Sequence, residues 1–360
     1  ETVPASATTP EPPELQEMFA RLSAMGVAHV TMEVSSHALA QDRVLGCRFD
    51  IAVLTNITGE HLDFHKTFAS YLKAKTKLFA HMGWGGGDSE SGPQLAVLNA
   101  DSRCYRYIRR WTNGQCITYG INAPADVQAE DLRCSSAGIS FRVLSFAGSE
   151  RFQLPLKGRF NVYNALAAIA VGLAEGFKLS EMAAIFDSFP GVPGRFEPVE
   201  AGQEYTVLVD YAHTPDGIVN ALRAARELTA GRVITVFGCG GERDRSKRAL
   251  MGEAAGGYSD LAILTDDNPR GEDPEAIYAE VLPGLERRPP AEGYRVIPDR
   301  REAIAAALAA AQPGDLVLIA GKGHESEQVY RDRSYPFDDR AVARDLIRSQ
   351  LRGEARSYVN

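Results

Sequence analysis

Short β-branched runs alternate along the chain with Ala- and Leu-rich stretches of helical period. That is the pattern of strand–turn–helix units feeding largely parallel sheets. In the first half, His29–Val34, Asp50–Thr55, Gln94–Asn99 and Gln115–Tyr119 predict strands, and Leu15–Met25, Thr67–Met82 and Arg103–Trp111 predict helices. Ile139–Leu144 and Arg151–Leu156, on either side of the turn Phe146–Ser149, predict a short antiparallel pair. Asn161–Glu175 and Leu179–Ser188 predict helices, the second with Ser180 as its N-cap. The Pro/Gly run Phe189–Gly194 then breaks the rhythm as a domain hinge would. Beyond it, strands are predicted at Tyr205–Asp210, Val233–Phe237, Leu261–Leu264, Tyr294–Ile297 and Leu316–Ile319. Helices are predicted at Pro215–Leu228, Lys247–Gly256, Pro274–Leu285, Arg301–Ala311 and Asp338–Leu351. The Gly/Ser/Asp-rich stretch Gly83–Gly92 predicts an insertion loop. The expected fold class is α/β, with domains over residues 1–192 and 193–360, the second doubly wound.

Composition narrows the class. Of 360 residues, 44% are hydrophobic and 24% charged, as expected of a core-forming protein. A net charge of −8 argues against bulk nucleic-acid binding, while a few placed arginines would still serve an anionic substrate. Cys47, Cys104, Cys116, Cys134 and Cys239 are scattered, with no Cys-x-x-Cys pair, which favours a reducing compartment. No run approaches the roughly 18 apolar residues of a membrane span and no signal-peptide pattern opens the chain, so a cytoplasmic location is expected.

Several clusters carry candidate chemistry. Met32-Glu33-Val34-Ser35-Ser36-His37 sets a carboxylate and two hydroxyls where an apolar run ends, the place at which open α/β sheets bind ligands. A strand ending in a polar turn gives the same pattern. Asn56-Ile57-Thr58-Gly59-Glu60-His61-Leu62-Asp63-Phe64-His65 suits a hard cation or phosphate chemistry, whereas its spacing is not that of structural zinc. Tyr71–Phe79, with Lys73, Lys75 and Lys77, reads by itself as a solvated basic helix face. Gly158–Asn164 opens a helix whose N-terminus can take an anion. Asp210–Asp216 is a strand end in which Pro215 starts the next helix. Gly238–Asp244, Thr265–Arg270 and Gly321–Glu325 all follow predicted strands, so they can converge on one rim. Alone, Asp-Asn-Pro-Arg is equally a turn with a surface arginine.

In combination and in this order, these segments resemble the Mur ligase family, from Thr8 to about Leu351. The resemblance implies a central ATPase-type parallel-sheet domain followed by a Rossmann-like C-terminal ligase domain. It implies a Lys75 carbamylated by carbon dioxide which, with Glu33 and His61, holds Mg²⁺ and forms the catalytic set. UDP-muramyl-dipeptide contacts are implied for Thr8, Thr9, Ser35, Gln41 and Arg43, and ATP contacts for Asn161, Asn164, Arg195, Asp210 and His213. Thr265–Arg270 resembles the signature of the family branch that adds meso-diaminopimelate, which implicates Arg243, Asp267, Asn268, Pro269, Arg270, Gly321 and Glu325 in binding that amino acid.

The chemistry fits. Diaminopimelate differs from lysine by a second carboxylate, which Arg270 with Arg243 can grip bidentately, while Glu325 and the Gly321 carbonyl receive the distal ammonium. Lysine would leave an arginine unpaired, and such sites reject the analogue by about 10⁴-fold. The implied reaction is ATP-dependent, ADP-forming amide synthesis on UDP-MurNAc-L-Ala-D-Glu through an acyl phosphate, in peptidoglycan synthesis. The expected protein is a monomer with neither a nucleic-acid nor a membrane partner. Alternatives are a ligase adding lysine, a folylpolyglutamate-type enzyme and a non-catalytic scaffold; Arg270 favours diaminopimelate, and Lys75 with His61 favours retained chemistry. The family pattern also calls for a Gly-x-x-Gly-Lys-Thr-type phosphate loop. Lys322 sits in Gly-Lys-Gly-His and Lys75 precedes a threonine without the glycines, so neither supplies it. The expectation is an N-terminally truncated piece, without that loop or the uridine-nucleotide domain, and close to inactive alone.

Overall fold

A computed structural model describes residues 7–59, 61–80, 95–112, 114–135 and 138–357. The predicted loop Gly83–Gly92 lies outside the described residues, as do Glu60, Met82 and Gln94. The chain divides into two compact units, one of residues 1–130, 143–150 and 163–182, the other of 131–142, 151–162 and 183–360.

The first sheet has six strands in chain order: β1 (Ile51–Leu54), β2 (Leu95–Asn99), β3 (Gln115–Gly120), β4 (Val127–Ser135), β5 (Gly138–Ser145) and β6 (Gly148–Leu154). The pairs from β1 to β4 are parallel. Parallel neighbours need crossovers; helices supply those from β1 to β2 and from β2 to β3, whereas only the short segment 121–126 separates β3 from β4. Helices α1 (Pro12–Ala24) and α2 (Ser36–Ala40) precede β1, α3 (Leu62–His65) and α4 (Phe68–Ala80) lie between β1 and β2, and α5 (Tyr105–Trp111) follows β2. Tyr71 and Phe79 of α4 and Ile108 of α5 pack on Ala52, Leu54, Ala96 and Leu98 of the strands.

Asp101 pins the turn after β3. Its carboxylate accepts the backbone N–H groups of Ile121, Asn122 and Ala123 at 2.7, 2.9 and 2.7 Å and the Tyr163 hydroxyl at 2.9 Å. Burial alone would raise its pKa, but these donors outweigh it and hold the carboxyl below its ordinary value of 3.8. A depressed folded value means the stabilisation is present above the unfolded pKa and is lost as pH falls through the folded one. Asp101→Asn is therefore expected to cost about 1–2 kcal/mol at neutral pH, after screening. Urea midpoints across pH 2–7 check it: the gap between wild type and variant should close towards the acid end, and a gap that does not change with pH contradicts the account.

The predicted strand His29–Val34 is corrected. Residues 27–34 form no strand, Val30 is 49% exposed, and no described strand pairs with this backbone. Apolar alternation specifies extended chain, but a strand exists only through its neighbour's hydrogen bonds. Ser180 is likewise not an N-cap. It lies inside α7 (Leu179–Asp187), which follows α6 (Phe160–Ala174), and the Glu181 carboxylate accepts the Lys178 N–H at 3.1 Å instead.

The second sheet runs β11-β10-β9-β12-β8-β7, parallel except for the edge strand β7 (Glu197–Pro198). The parallel strands are β8 (Thr206–Asp210), β9 (Val233–Phe237), β10 (Leu261–Leu264), β11 (Tyr294–Val296) and β12 (Leu316–Ala320). Alternate residues serve opposite faces. Leu208, Phe237, Leu264 and Leu318 pack under α8 (Pro215–Leu228), α9 (Lys247–Tyr258) and α10 (Pro274–Arg287). Val207, Ile234, Ile263 and Val317 pack under α11 (Arg300–Ala310) and α12 (Asp339–Ser357). Both faces are covered, which explains why these strands read as continuous apolar runs. A hairpin of β13 (Glu327–Val329) and β14 (Ser334–Pro336) follows β12. Among the described residues no helix is long and apolar enough to cross a membrane.

Candidate active site

In the second unit, the parallel register aligns Asp210 with Ala320, Val236 with Ile319 and Phe237 with Leu264. The segments following β8, β9, β10 and β12 therefore leave the same, carboxyl edge of the sheet. Close approach decides their composition. A Cβ on Gly241 would stand 1.8 Å from the Pro269 carbonyl oxygen, and one on Gly238 2.4 Å from that of Thr265. The glycine loop after β9 and the Asp-Asn-Pro-Arg loop after β10 thus touch backbone to backbone, and the Gly241 N–H donates to the Asn268 carbonyl at 2.9 Å.

Arg270 has a positive φ of 52° and donates from Nη1 to the Gly241 carbonyl at 2.8 Å. Arg243 and Arg270 both flank Gly240, whose Cβ would lie 3.6 Å from Arg243 Cγ and 3.1 Å from Arg270 Nη1. Pro269 fixes the turn between Asn268 and Arg270. Asp267 is 8% exposed, and its Oδ2 is buried without a hydrogen-bond donor in the protein. Gly321, at φ 118°, comes so near that a Cβ there would be 2.4 Å from this oxygen. An orphaned buried carboxylate oxygen is costly unless something brings it a donor. The Asn268 amide donates to Glu325 Oε2 at 2.7 Å. Arginines, an unsatisfied carboxylate and a second carboxylate on one edge suit a small zwitterion with more than one charged end.

Beneath this edge, Asp266 accepts hydrogen bonds from Tyr278 and Tyr330, and burial holds its carboxyl above the usual range against those bonds. Burial pushes the Cys239 thiol up to about 12, so it is no nucleophile. Arg248, 1% exposed, bonds Glu272, Glu280 and the Gly240 carbonyl and so fixes the glycine loop.

Three of the residues implied for ATP, Arg195, Asp210 and His213, lie at or beside Tyr211. The Arg195 guanidinium lies 4.6 Å from its ring centroid, His213 packs edge-on at 4.5 Å and His324 lies at 5.3 Å. Asp210 accepts the Phe196 and Ala212 N–H groups, each at 2.8 Å, and burial still holds its carboxyl above the ordinary value. Gly194, at φ 68°, has no room for a Cβ, which would fall 2.1 Å from His324 N. Phe160 meets Phe196 edge-on at 5.5 Å, bringing the start of α6 to this side. Asn161 is buried there and donates to the Lys157 carbonyl at 2.8 Å; Asn164, one turn later, is exposed.

In the first unit, Thr9 is fully buried and joins three of its predicted companions. Its hydroxyl donates to the Glu33 carbonyl at 2.9 Å and accepts the Ser35 N–H at 3.0 Å, and its own carbonyl accepts Arg43 at 3.2 Å. Arg43 also donates to Gln41 and pairs with Glu11, each at 2.9 Å. Thr8 and the Glu33 side chain are exposed. Lys75 donates to the Val34 carbonyl at 3.3 Å, which brings α4 to the same segment. His61, at φ 56°, stands edge-on to His37 at 4.8 Å and lies 6.3 Å from Tyr71, one turn before Lys75. His37 and His65, 5.7 Å apart, complete a histidine cluster that joins two segments read separately in the sequence.

Among the described residues no three His, Cys, Asp or Glu side chains converge as a metal site. Carboxylate, carbamate and imidazole are donor types that Mg²⁺ can use, and it keeps several waters and phosphate oxygens, so few protein ligands would be called for.

These parallel sheets and strand-end loops are those of a known ligase class. The Mur ligase middle domain matches residues 1–172 and the Mur ligase glutamate ligase domain residues 194–323. The chain belongs to the Mur ligase family. It is 48% identical over 348 residues to the UDP-N-acetylmuramoyl-L-alanyl-D-glutamate–2,6-diaminopimelate ligase of Geobacillus thermodenitrificans, covering 96% of this chain and 70% of that protein. A solved structure of a ligase of the same name superposes with a TM-score of 0.61 and 36% identity, over 94% of this chain and 68% of the other. A Thermotoga maritima MurF ligase in complex with ADP shares the fold at a TM-score of 0.64 and 16% identity, over 89% of this chain and 66% of the other.

Proposed function

We propose that the chain is the ATP-dependent, ADP-forming ligase that joins meso-2,6-diaminopimelate to UDP-MurNAc-L-Ala-D-Glu in cytoplasmic peptidoglycan synthesis, acting as a monomer with domains over residues 1–192 and 193–360. The carrying observation is the amino-acid edge: Arg270 beside Arg243, the unsatisfied Asp267 Oδ2, and Glu325 held by Asn268. A substrate with two carboxylates and two ammonium groups supplies a partner for every one of them.

In the first step the D-glutamate carboxylate attacks the γ-phosphorus of ATP, giving an acyl phosphate and ADP. In the second, the diaminopimelate amine attacks that carbonyl, the C–N bond forms and phosphate leaves. Arg195, Asp210 and His213, with Asn161 and Asn164, bind the nucleotide in this reading. Thr8, Thr9, Ser35, Gln41 and Arg43 hold the muramyl substrate, with the Arg43 fork suited to phosphate or carboxylate. Mg²⁺ held by Glu33, His61 and carbamylated Lys75 would offset phosphate charge. The protein's own contribution is positioning and preorganised charge.

The test is ADP release with Mg·ATP and UDP-MurNAc-L-Ala-D-Glu, run with meso-diaminopimelate or L-lysine, with and without an added polypeptide carrying the family's phosphate loop. Release that depends on diaminopimelate supports the reading; silence in every combination, or equal release with lysine, overturns it. Lys75→Arg keeps the cation but cannot form the carbamate, and is expected to lose at least about 100-fold in turnover. Labelling with ¹³C-bicarbonate should give a carbamate resonance in the wild type and none in the variant. A fully active Lys75→Arg protein would contradict the role.

A further inference from the structure

Lys322 is fully buried, yet nothing in the reaction outlined above uses it. Its ammonium makes three hydrogen bonds: to Asn268 Oδ1 at 2.9 Å, Glu325 Oε2 at 3.0 Å and the Glu327 carbonyl at 2.6 Å. An ammonium has three protons, so none remains for a phosphate or a substrate. Glu325 Oε2 is committed as well, since it also accepts the Asn268 amide at 2.7 Å. Asn268 Oδ1 accepts a second bond, from the Val329 N–H at 3.0 Å. Lys322 thereby ties together the loop after β10, its own loop after β12 and the strand β13. The side chain of Glu325 is 32% exposed, so the carboxylate still reaches the surface of the edge.

We propose that Lys322 is the positioning residue of the amino-acid site: it locks the Glu325 carboxylate through Oε2, so that Oε1 is presented to the ammonium group at the far end of the incoming amino acid. The inference rests on the proposed function for its substrate class. It adds a selectivity device, because a carboxylate held in one orientation discriminates an amine by distance, whereas a free one follows any cation.

The test compares wild type, Lys322→Met, Lys322→Arg and Glu325→Gln in the full chain. Calorimetry gives the affinity for meso-diaminopimelate and for an analogue lacking the distal amine; KM for ATP and the melting temperature are read alongside. Lys322→Met is expected to weaken meso-diaminopimelate binding about tenfold or more, to reduce the preference over the analogue, and to leave KM for ATP within about twofold. Lys322→Arg, which keeps charge and donors in a broader head, should fall between Met and wild type, and it carries the test if Lys322→Met does not fold. Unchanged diaminopimelate affinity in a folded Lys322 variant overturns the proposal, as does an equal rise in KM for ATP. Glu325→Gln separates the two levels: if it too leaves the affinity unchanged, the amino-acid site itself is misassigned.

Discussion

Replacing Arg270 with alanine is expected to lower kcat/KM for meso-diaminopimelate by about 10²–10⁴-fold and to abolish most of the preference over lysine. The guanidinium is held at one end by the Gly241 carbonyl at 2.8 Å, and its backbone is fixed by the Arg270 N–H donating to Val329 at 3.0 Å. The fork is thus preorganised, and its remaining donors await a carboxylate. Lysine lacks that carboxylate, so in this reading the wild type should discriminate against it, because the half-buried arginine would lose its partner. Removing the arginine removes the penalty on lysine as well as the gain from diaminopimelate, so the two substrates should converge. Arg270→Lys should recover little, because a point charge cannot form the bidentate pair. A variant that loses activity towards both substrates equally would mean that Arg270 shapes the loop and does not select the ligand.

The second large effect is on stability. Arg300 and Asp339 are both fully buried and meet through two bonds of 2.7 Å. Arg300 also donates to the Asp266 carbonyl at 3.3 Å and the Ala320 carbonyl at 3.0 Å, at the ends of β10 and β12 where the substrate loops begin. Asp339→Asn leaves a buried guanidinium without its paired carboxylate, which should cost about 3–5 kcal/mol in urea unfolding. The double variant Arg300→Met/Asp339→Leu should regain much of that loss, because an apolar pair of similar volume incurs no charge desolvation. A single-variant loss under about 1 kcal/mol would show that the pair is not the clamp described here.

The strand–helix rhythm made the second sheet legible because its inner strands are buried on both faces and followed by glycines that backbone contact demands, as at Gly238 and Gly241. The same reading placed a strand at His29–Val34, where the alternation is genuine but no described partner accepts its hydrogen bonds. It passed over β4, whose Glu130, Asp131 and Arg133 interrupt the apolar run. Strand-end position marked Asp210, Asp267 and Arg270 as candidates before any contact was known. Lys322 and His37 stood inside the candidate segments Gly321–Glu325 and Met32–His37, but nothing in the spacing gave either of them a role. Lys322 matters by joining Asn268, 54 residues away, to Glu325 in its own loop, and His37 through the ring of His65 on a different helix. Such roles arise when the chain folds and leave no periodic trace.

The most direct test of the central claim is calorimetric titration of the chain with meso-diaminopimelate and, separately, with L-lysine. The account predicts a binding isotherm for meso-diaminopimelate and an affinity for lysine weaker by at least about 100-fold, as a site left with an unpaired arginine requires. Equal affinities, or tighter binding of lysine, would contradict it.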